Sequence, residues 1–225
     1  MAEKTAIRLL MCLALPAFSA RGEDRNVASL HQFNLLTQTM GKTRLMWHNR
    51  VRFFDGISDF YQFRTGPIVY YDWNERLQLL AGYYLLEQRS NGAFQTIQRP
   101  WAGAQYRIWK RDKASVDWRN LLERHAYSGP GDFTRFRSRA VVNLQPKAGW
   151  QPYASAEGLA LQGHVVGRYA AGVNYATRQG HVIGFGYEFR QTVGGPGSHF
   201  LATLLQFQIK GPRRREKPGE AEAPQ

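Results

Sequence analysis

From residue 28 to residue 209 the chain is a succession of runs of roughly ten to thirteen residues in which apolar and polar side chains alternate. A period of two belongs to extended strands, whose side chains point to opposite faces in turn. The runs are Ala28–Gln38, Thr43–Phe54, Tyr61–Tyr71, Arg76–Glu87, Thr96–Trp109, Ser115–Ala126, Thr134–Gln145, Gln151–Leu161, Val165–Ala176, His181–Thr192 and His199–Ile209. Between them stand clusters rich in Gly, Pro, Asn and Asp, such as "DGISD", "DWNE", "YSGPGD" and "VGGPGS", which favour tight turns. Soluble sandwiches use strands of about five or six residues. Strands of this greater length, tilted by about 40°, rise roughly 25 Å, the height of the apolar band of a membrane barrel.

The faces of these strands differ in chemistry. "DFTRFRSRAVVNLQ" places Arg135, Arg137 and Arg139 on one face and Phe136, Ala140 and Val142 on the other. In "SVDWRNLLERHA", Asp117, Arg119 and Glu123 share a face opposite Trp118 and Leu122. In "HVIGFGYEFRQ", Glu188 and Arg190 lie opposite Ile183, Phe185, Tyr187 and Phe189. A soluble sandwich would turn the apolar face to a core and the charges to water, and an outer-membrane barrel would do the reverse. The aromatic residues near strand ends, Tyr70, Tyr71, Trp73, Trp109, Trp150 and Tyr175, favour the barrel, because rings of Trp and Tyr mark its two interfaces with the bilayer. Glycines on the charged faces agree, since crowded interior side chains need room. On this reading the three arginines face the lumen beside Asp117, Glu123, Glu157 and Glu188, with Arg119, Arg168 and Arg190 in the same charge lattice, while Phe136, Ala140 and Val142 meet lipid.

The N-terminus, "MAEKTAIRLLMCLALPAFSA", has Lys4 and Arg8, then a short apolar centre, then small residues, which is the pattern of a secretory signal peptide. The single cysteine, Cys12, lies inside it, so no disulfide or thiolate site is expected in the exported chain. The net charge of +13 would suggest a nucleic-acid partner for a soluble protein, but export and spanning strands argue against one. The end, "GPRRREKPGEAEAPQ", has the composition of a disordered charged tail.

The stretch "RIWKRDKASVDWRNLLERHAYSGPGDFTRFRSRAVVNLQPKAGWQPYASAE", followed by "GRYAAGVNYATRQGHVIGFGYEFRQ", resembles a bacterial family called domain of unknown function 2490. The likeness rests on a strand ending in Glu-Arg, an "RxRxR" strand, a "Y-x-x-x-E" strand and a "GYxF" strand, and is clearest from Trp101 to Gln191. It implies an outer-membrane β-barrel of a Gram-negative bacterium with no assigned activity. The expected organisation is a signal peptide at 1–20, one antiparallel up-and-down transmembrane barrel at 21–210 and a tail at 211–225. Single-chain bacterial barrels have even strand numbers, so about twelve strands are expected, with ten the alternative.

Catalytic signatures are absent: there is no phosphate-cradling glycine loop, no H-E-x-x-H, no C-x-x-C and no G-x-S-x-G. Glu123 and His125 share a face, and with Ser155 they are the weak candidates for a lipid hydrolase. The histidines do not cluster, and neither metal nor cofactor is expected. The expected function is therefore structural or that of a narrow channel with an Arg/Glu-lined, largely filled lumen. A lipid hydrolase or a soluble periplasmic sandwich or lipocalin-like binder are the alternatives. The expected partners are outer-membrane lipids and the outer-membrane assembly machinery, with oligomeric state left open.

Overall fold

The computed structural model describes residues 27–209 apart from 39–40, 56, 91, 129–130, 145–148, 162–163 and 196. The signal segment, Cys12 and the charged tail lie outside the described residues. Each of the eleven alternating runs is a strand: β1 (Val27–Gln38), β2 (Thr43–Phe54), β3 (Asp59–Asp72), β4 (Leu77–Ser90), β5 (Ala93–Arg111), β6 (Ala114–Tyr127), β7 (Phe133–Leu144), β8 (Gly149–Leu161), β9 (His164–Ala176), β10 (Val182–Thr192) and β11 (Gly197–Ile209). At 19 residues β5 runs past its alternating stretch at both ends, and a bulge between Arg107 and Trp109 breaks the period while pairing to β6 continues.

Sequence neighbours pair antiparallel all the way round, and β1 closes a barrel against β11. That closing pair is parallel, with Leu30 opposite Ala202 and Asn34 opposite Gln206. The expectation of twelve strands, or ten, is thereby corrected to eleven among the described residues. Up-and-down connections make the last strand of an odd set run in the same direction as the first, so the ring can close only through a parallel pair. Closure of either kind removes the free edges that an open sheet would expose.

The outer wall carries the apolar face. Leu122 is 58% exposed and Phe185 59%, and Trp47, Trp118, Phe136 and Leu201 also stand outward and exposed. Tyr71, Trp73, Trp150 and Tyr175 are exposed as expected, but all four lie at the one rim where β3 and β9 end and β8 begins. There Trp150 meets Tyr175 edge-on, with ring centroids 5.1 Å apart. Phe54 and Phe94 are exposed at the opposite rim. Three expectations about this face need correction. Tyr70 turns inward, and its hydroxyl approaches Met46 Sδ at 3.9 Å. Trp109 is half-buried, with the Arg111 guanidinium 5.9 Å from its ring. Val142, flanked by Val116 and Ala154 in the ladder, is 1% exposed and so is covered by protein, not open to lipid.

The interior has two unlike sides. Met46, Ile68, Leu80, Tyr84, Leu86, Ile97, Trp101 and Leu121, from β2 to β6, form one buried apolar cluster. Each large side chain buried there contributes about 1.5–3 kcal/mol relative to exposure to water. Gly82 makes the cluster possible, because a Cβ at that position would overlap the Trp101 indole, with Nε1 at 2.7 Å. The inward face was expected to be ionic throughout. The side from β6 to β10 has that character, while β2 to β5 combine inward Arg50, Arg52, Arg64 and Arg99 with the apolar cluster, whose Leu, Ile and Trp the closed ring brings close enough to exclude water by packing on one another.

Candidate functional site

The inward arginines of β7 meet acids on both sides. Glu123 of β6, 0% exposed, accepts from Arg135 Nε at 2.9 Å through Oε2 and from Arg137 Nη1 at 2.6 Å through Oε1. A second contact joins Arg135 Nη2 to the same carboxylate. Arg137 also reaches β8, donating to Glu157 Oε1 from Nε at 2.9 Å and from Nη2 at 2.5 Å. Glu157 Oε2 lies 3.3 Å from Arg168 Nη1 on β9. Arg135, Glu123, Arg137, Glu157 and Arg168 thus form one alternating chain of charges across four strands. Strand register causes it, placing Glu123 opposite Arg135 and Glu157 opposite both Arg139 and Arg168.

Other expected members are placed differently. Arg139 donates to Ser155 Oγ at 3.0 Å, and in the ladder it faces Arg119. Asp117 stands opposite Val141 and pairs with Arg107 of β5 at 2.9 Å, a partner that the alternation did not single out. Glu188 pairs with Arg190 of its own strand, and the Arg190 guanidinium lies 3.9 Å from the centre of the Phe200 ring. The acids are thus distributed by register and reach, and all three β7 arginines do not share them.

The weak catalytic candidates do not converge. His125 Nε2 is 3.5 Å from Glu123 Oε2, too far for a hydrogen bond, and its ring stacks on Phe133 at 4.3 Å. Ser155 is opposite Val141, which is opposite Asp117, so it sits in register with a point eight residues from His125 along β6. That displacement is about 26 Å at roughly 3.3 Å per residue. Among the described residues no three His, Cys, Asp or Glu side chains gather as a metal site requires.

Sequence reasoning passed over a second group of arginines. Arg50 and Arg52 of β2, Arg64 of β3 and Arg99 of β5 line a lumen cavity of about 140 Å³, together with Arg135, Arg137 and Arg168 of the charge chain. Among the described residues none of the first four makes an ion pair. Arg64 instead donates to His48 Nε2, from Nε at 3.1 Å, and lies 4.3 Å from the Tyr84 ring centre. His48 Nδ1 is 2.9 Å from Asn34 Oδ1, so the imidazole accepts from Arg64 and donates to Asn34. The Nε atoms of Arg50, Arg52 and Arg99 are buried without a hydrogen-bond partner. A signal for them existed, since Arg50-Val51-Arg52 repeats the alternate spacing of the β7 arginines.

A larger space of about 1150 Å³ opens at the other end, bordered by Lys42, Arg44, Asp72, Trp73, Arg107 and Asp117 among others. The two spaces share no lining residue. On β2, Met46 and His48 intervene between Arg44 and Arg50; on β5, Trp101 and Gly103 intervene between Arg99 and Gln105; on β6, Arg119, Leu121 and Glu123 intervene between Asp117 and His125. The apolar cluster and the charge chain lie at this level, a layer of buried side chains between the two spaces.

With the geometry in place, comparison with known proteins adds one finding. The family described as "Protein of unknown function (DUF2490)" matches residues 30–197. The chain belongs to this family. The match runs from β1 to the start of β11 and so takes in the charge chain, the arginine cavity and the buried layer. No curated protein and no solved structure matched the chain.

Proposed function

We propose that this DUF2490 protein is an outer-membrane β-barrel of a Gram-negative bacterium, exported by the signal segment at 1–20, whose filled lumen makes it a structural wall protein or at most a narrow, anion-preferring conduit. The observation that carries this reading is the inversion of the faces. Leu122, Phe185, Leu201 and Trp118 are exposed on the wall, while Glu123, Arg135, Arg137 and Glu157 are buried inside it. A water-soluble barrel would leave that apolar wall in contact with water on every side, well beyond the few hundred Å² of contiguous apolar surface usual for soluble monomers. Acyl chains are the solvent that suits it, and a closed ring satisfies the backbone groups that lipid cannot.

The buried layer between the two lumen spaces favours the structural role over an open pore. The test is fractionation of expressing cells with gel migration before and after boiling. Recovery in the outer-membrane fraction, with faster migration of the unboiled form, is expected. A soluble periplasmic product migrating identically in both states would refute the reading. Planar-bilayer recordings then separate wall protein from conduit, since a filled lumen passes only small or no unitary currents.

A further inference from the structure

We propose that the arginine cavity of the lumen is a binding site for a small multivalent oxyanion of the phosphate class, with inorganic pyrophosphate its nearest simple representative. The lining follows from the fold alone, and only the choice of micelles and the exclusion of lipid-attached phosphate rest on the membrane reading above. Seven guanidinium groups and no carboxylate line the cavity; of the acids around it, Glu123 and Glu157 are taken up by Arg135, Arg137 and Arg168, and Glu188 by Arg190. That leaves Arg50, Arg52, Arg64 and Arg99 lining one space without an ion-pair contact among the described residues. Arg52 and Arg99 are each 6% exposed, and the buried Nε of each has no partner.

Buried charge persists where something compensates it, and here the compensating group must come from outside the chain. The chemistry of the donors selects the ligand. Guanidinium forks present paired N–H groups that match the oxygens of phosphate and carboxylate, and the forks of Arg50, Arg52 and Arg99 from β2 and β5 suit a tetrahedral group carrying more than one charge. Size narrows the choice further. A volume of about 140 Å³ holds one or two phosphoryl groups, whereas sites for drug-sized ligands run from roughly 300 Å³ upward. That size suits a small oxyanion better than a whole nucleotide. Because the ring of strands encloses the cavity, a free solute fits it and a phosphate still attached to lipid in the surrounding bilayer does not.

The test is calorimetric titration of the full chain, folded in detergent micelles, with pyrophosphate, orthophosphate and ionic-strength-matched sodium chloride, alongside thermal unfolding in each. Pyrophosphate is expected to bind one per chain, more tightly than orthophosphate, and to raise the unfolding temperature where chloride does not. Arg52→Gln and Arg99→Gln should each weaken pyrophosphate binding about tenfold or more, as expected for loss of a charged hydrogen bond. Both variants should also unfold at a higher temperature than the parent in anion-free buffer, because an uncompensated charge has gone. Arg124→Gln, at an exposed position on the outer wall, should leave binding unchanged. Pyrophosphate binding no tighter than chloride, or undiminished in both arginine variants, overturns the proposal. If neither variant folds, the comparison of pyrophosphate with chloride on the parent chain alone decides.

Discussion

Arg137 holds Glu123 and Glu157 at once between β6 and β8. Removing one member of a buried pair leaves the other charged and unsolvated, which costs about 3–5 kcal/mol. Arg137→Leu is therefore expected to lose about that much stability, read as a lowered urea midpoint and a lowered folded yield in micelles. A midpoint equal to that of the parent would remove the charge chain from the account of stability. Arg119→Gln should behave in the opposite way. Arg119 faces Arg139 in the ladder, so its neutralisation relieves a repulsion and the midpoint should hold or rise. The β7 arginines were legible from spacing alone, since three in alternation must share a face. Their partners were less so: Glu123 and Glu157 could be named as neighbours, but whether a carboxylate meets Arg135, Arg139 or Arg107 depends on register to within one residue. Arg50, Arg52 and Arg99 show the remaining difficulty, because their importance comes from what fails to stand opposite them in space.

At the scale of the strand, the period of two carried nearly all the information needed for placement. Each alternating run became a strand, and discrepancies arose where the period itself breaks, as at the bulge between Arg107 and Trp109. The contact between β4 and β5 illustrates what alternation leaves open. Gly82 and Trp101 face each other in the ladder, and the indole lies where a Cβ on residue 82 would stand. Gly82→Ala should displace the indole and cost about 1–3 kcal/mol, the usual penalty for overpacking. A changed near-ultraviolet dichroism spectrum together with a lowered urea midpoint would show it. A second prediction concerns the outer face of β6. Leu122 lies near the middle of its strand and is exposed, so Leu122→Arg tests what surrounds the wall. In a bilayer the arginine should cost about 2–4 kcal/mol, whereas on a wetted surface the change stays within roughly 0.5 kcal/mol. Unfolding measured in lipid vesicles reads the difference.

At the scale of the whole molecule, closure governs the properties that matter for function. Met46, Trp101 and Leu121 lie between the two lumen spaces, so conductance should respond to their removal. The double variant Trp101→Ala and Leu121→Ala is expected to show unitary currents larger than those of the parent in planar bilayers, with anions preferred because the lumen walls are arginine-rich. Currents unchanged from the parent would place the barrier elsewhere. By itself the amino-acid sequence determined that the chain is made of long strands, where they turn, and which side chains share each face, because these follow from local periodicity and turn chemistry. That the charged face looks inward, which the aromatics near strand ends had favoured, that eleven strands close through a parallel pair, that an apolar cluster fills part of the lumen and that these arginines meet around one space were decided by the tertiary structure. Alternation is the same for either orientation, and only the closing of the ring brings strands distant in sequence into one register.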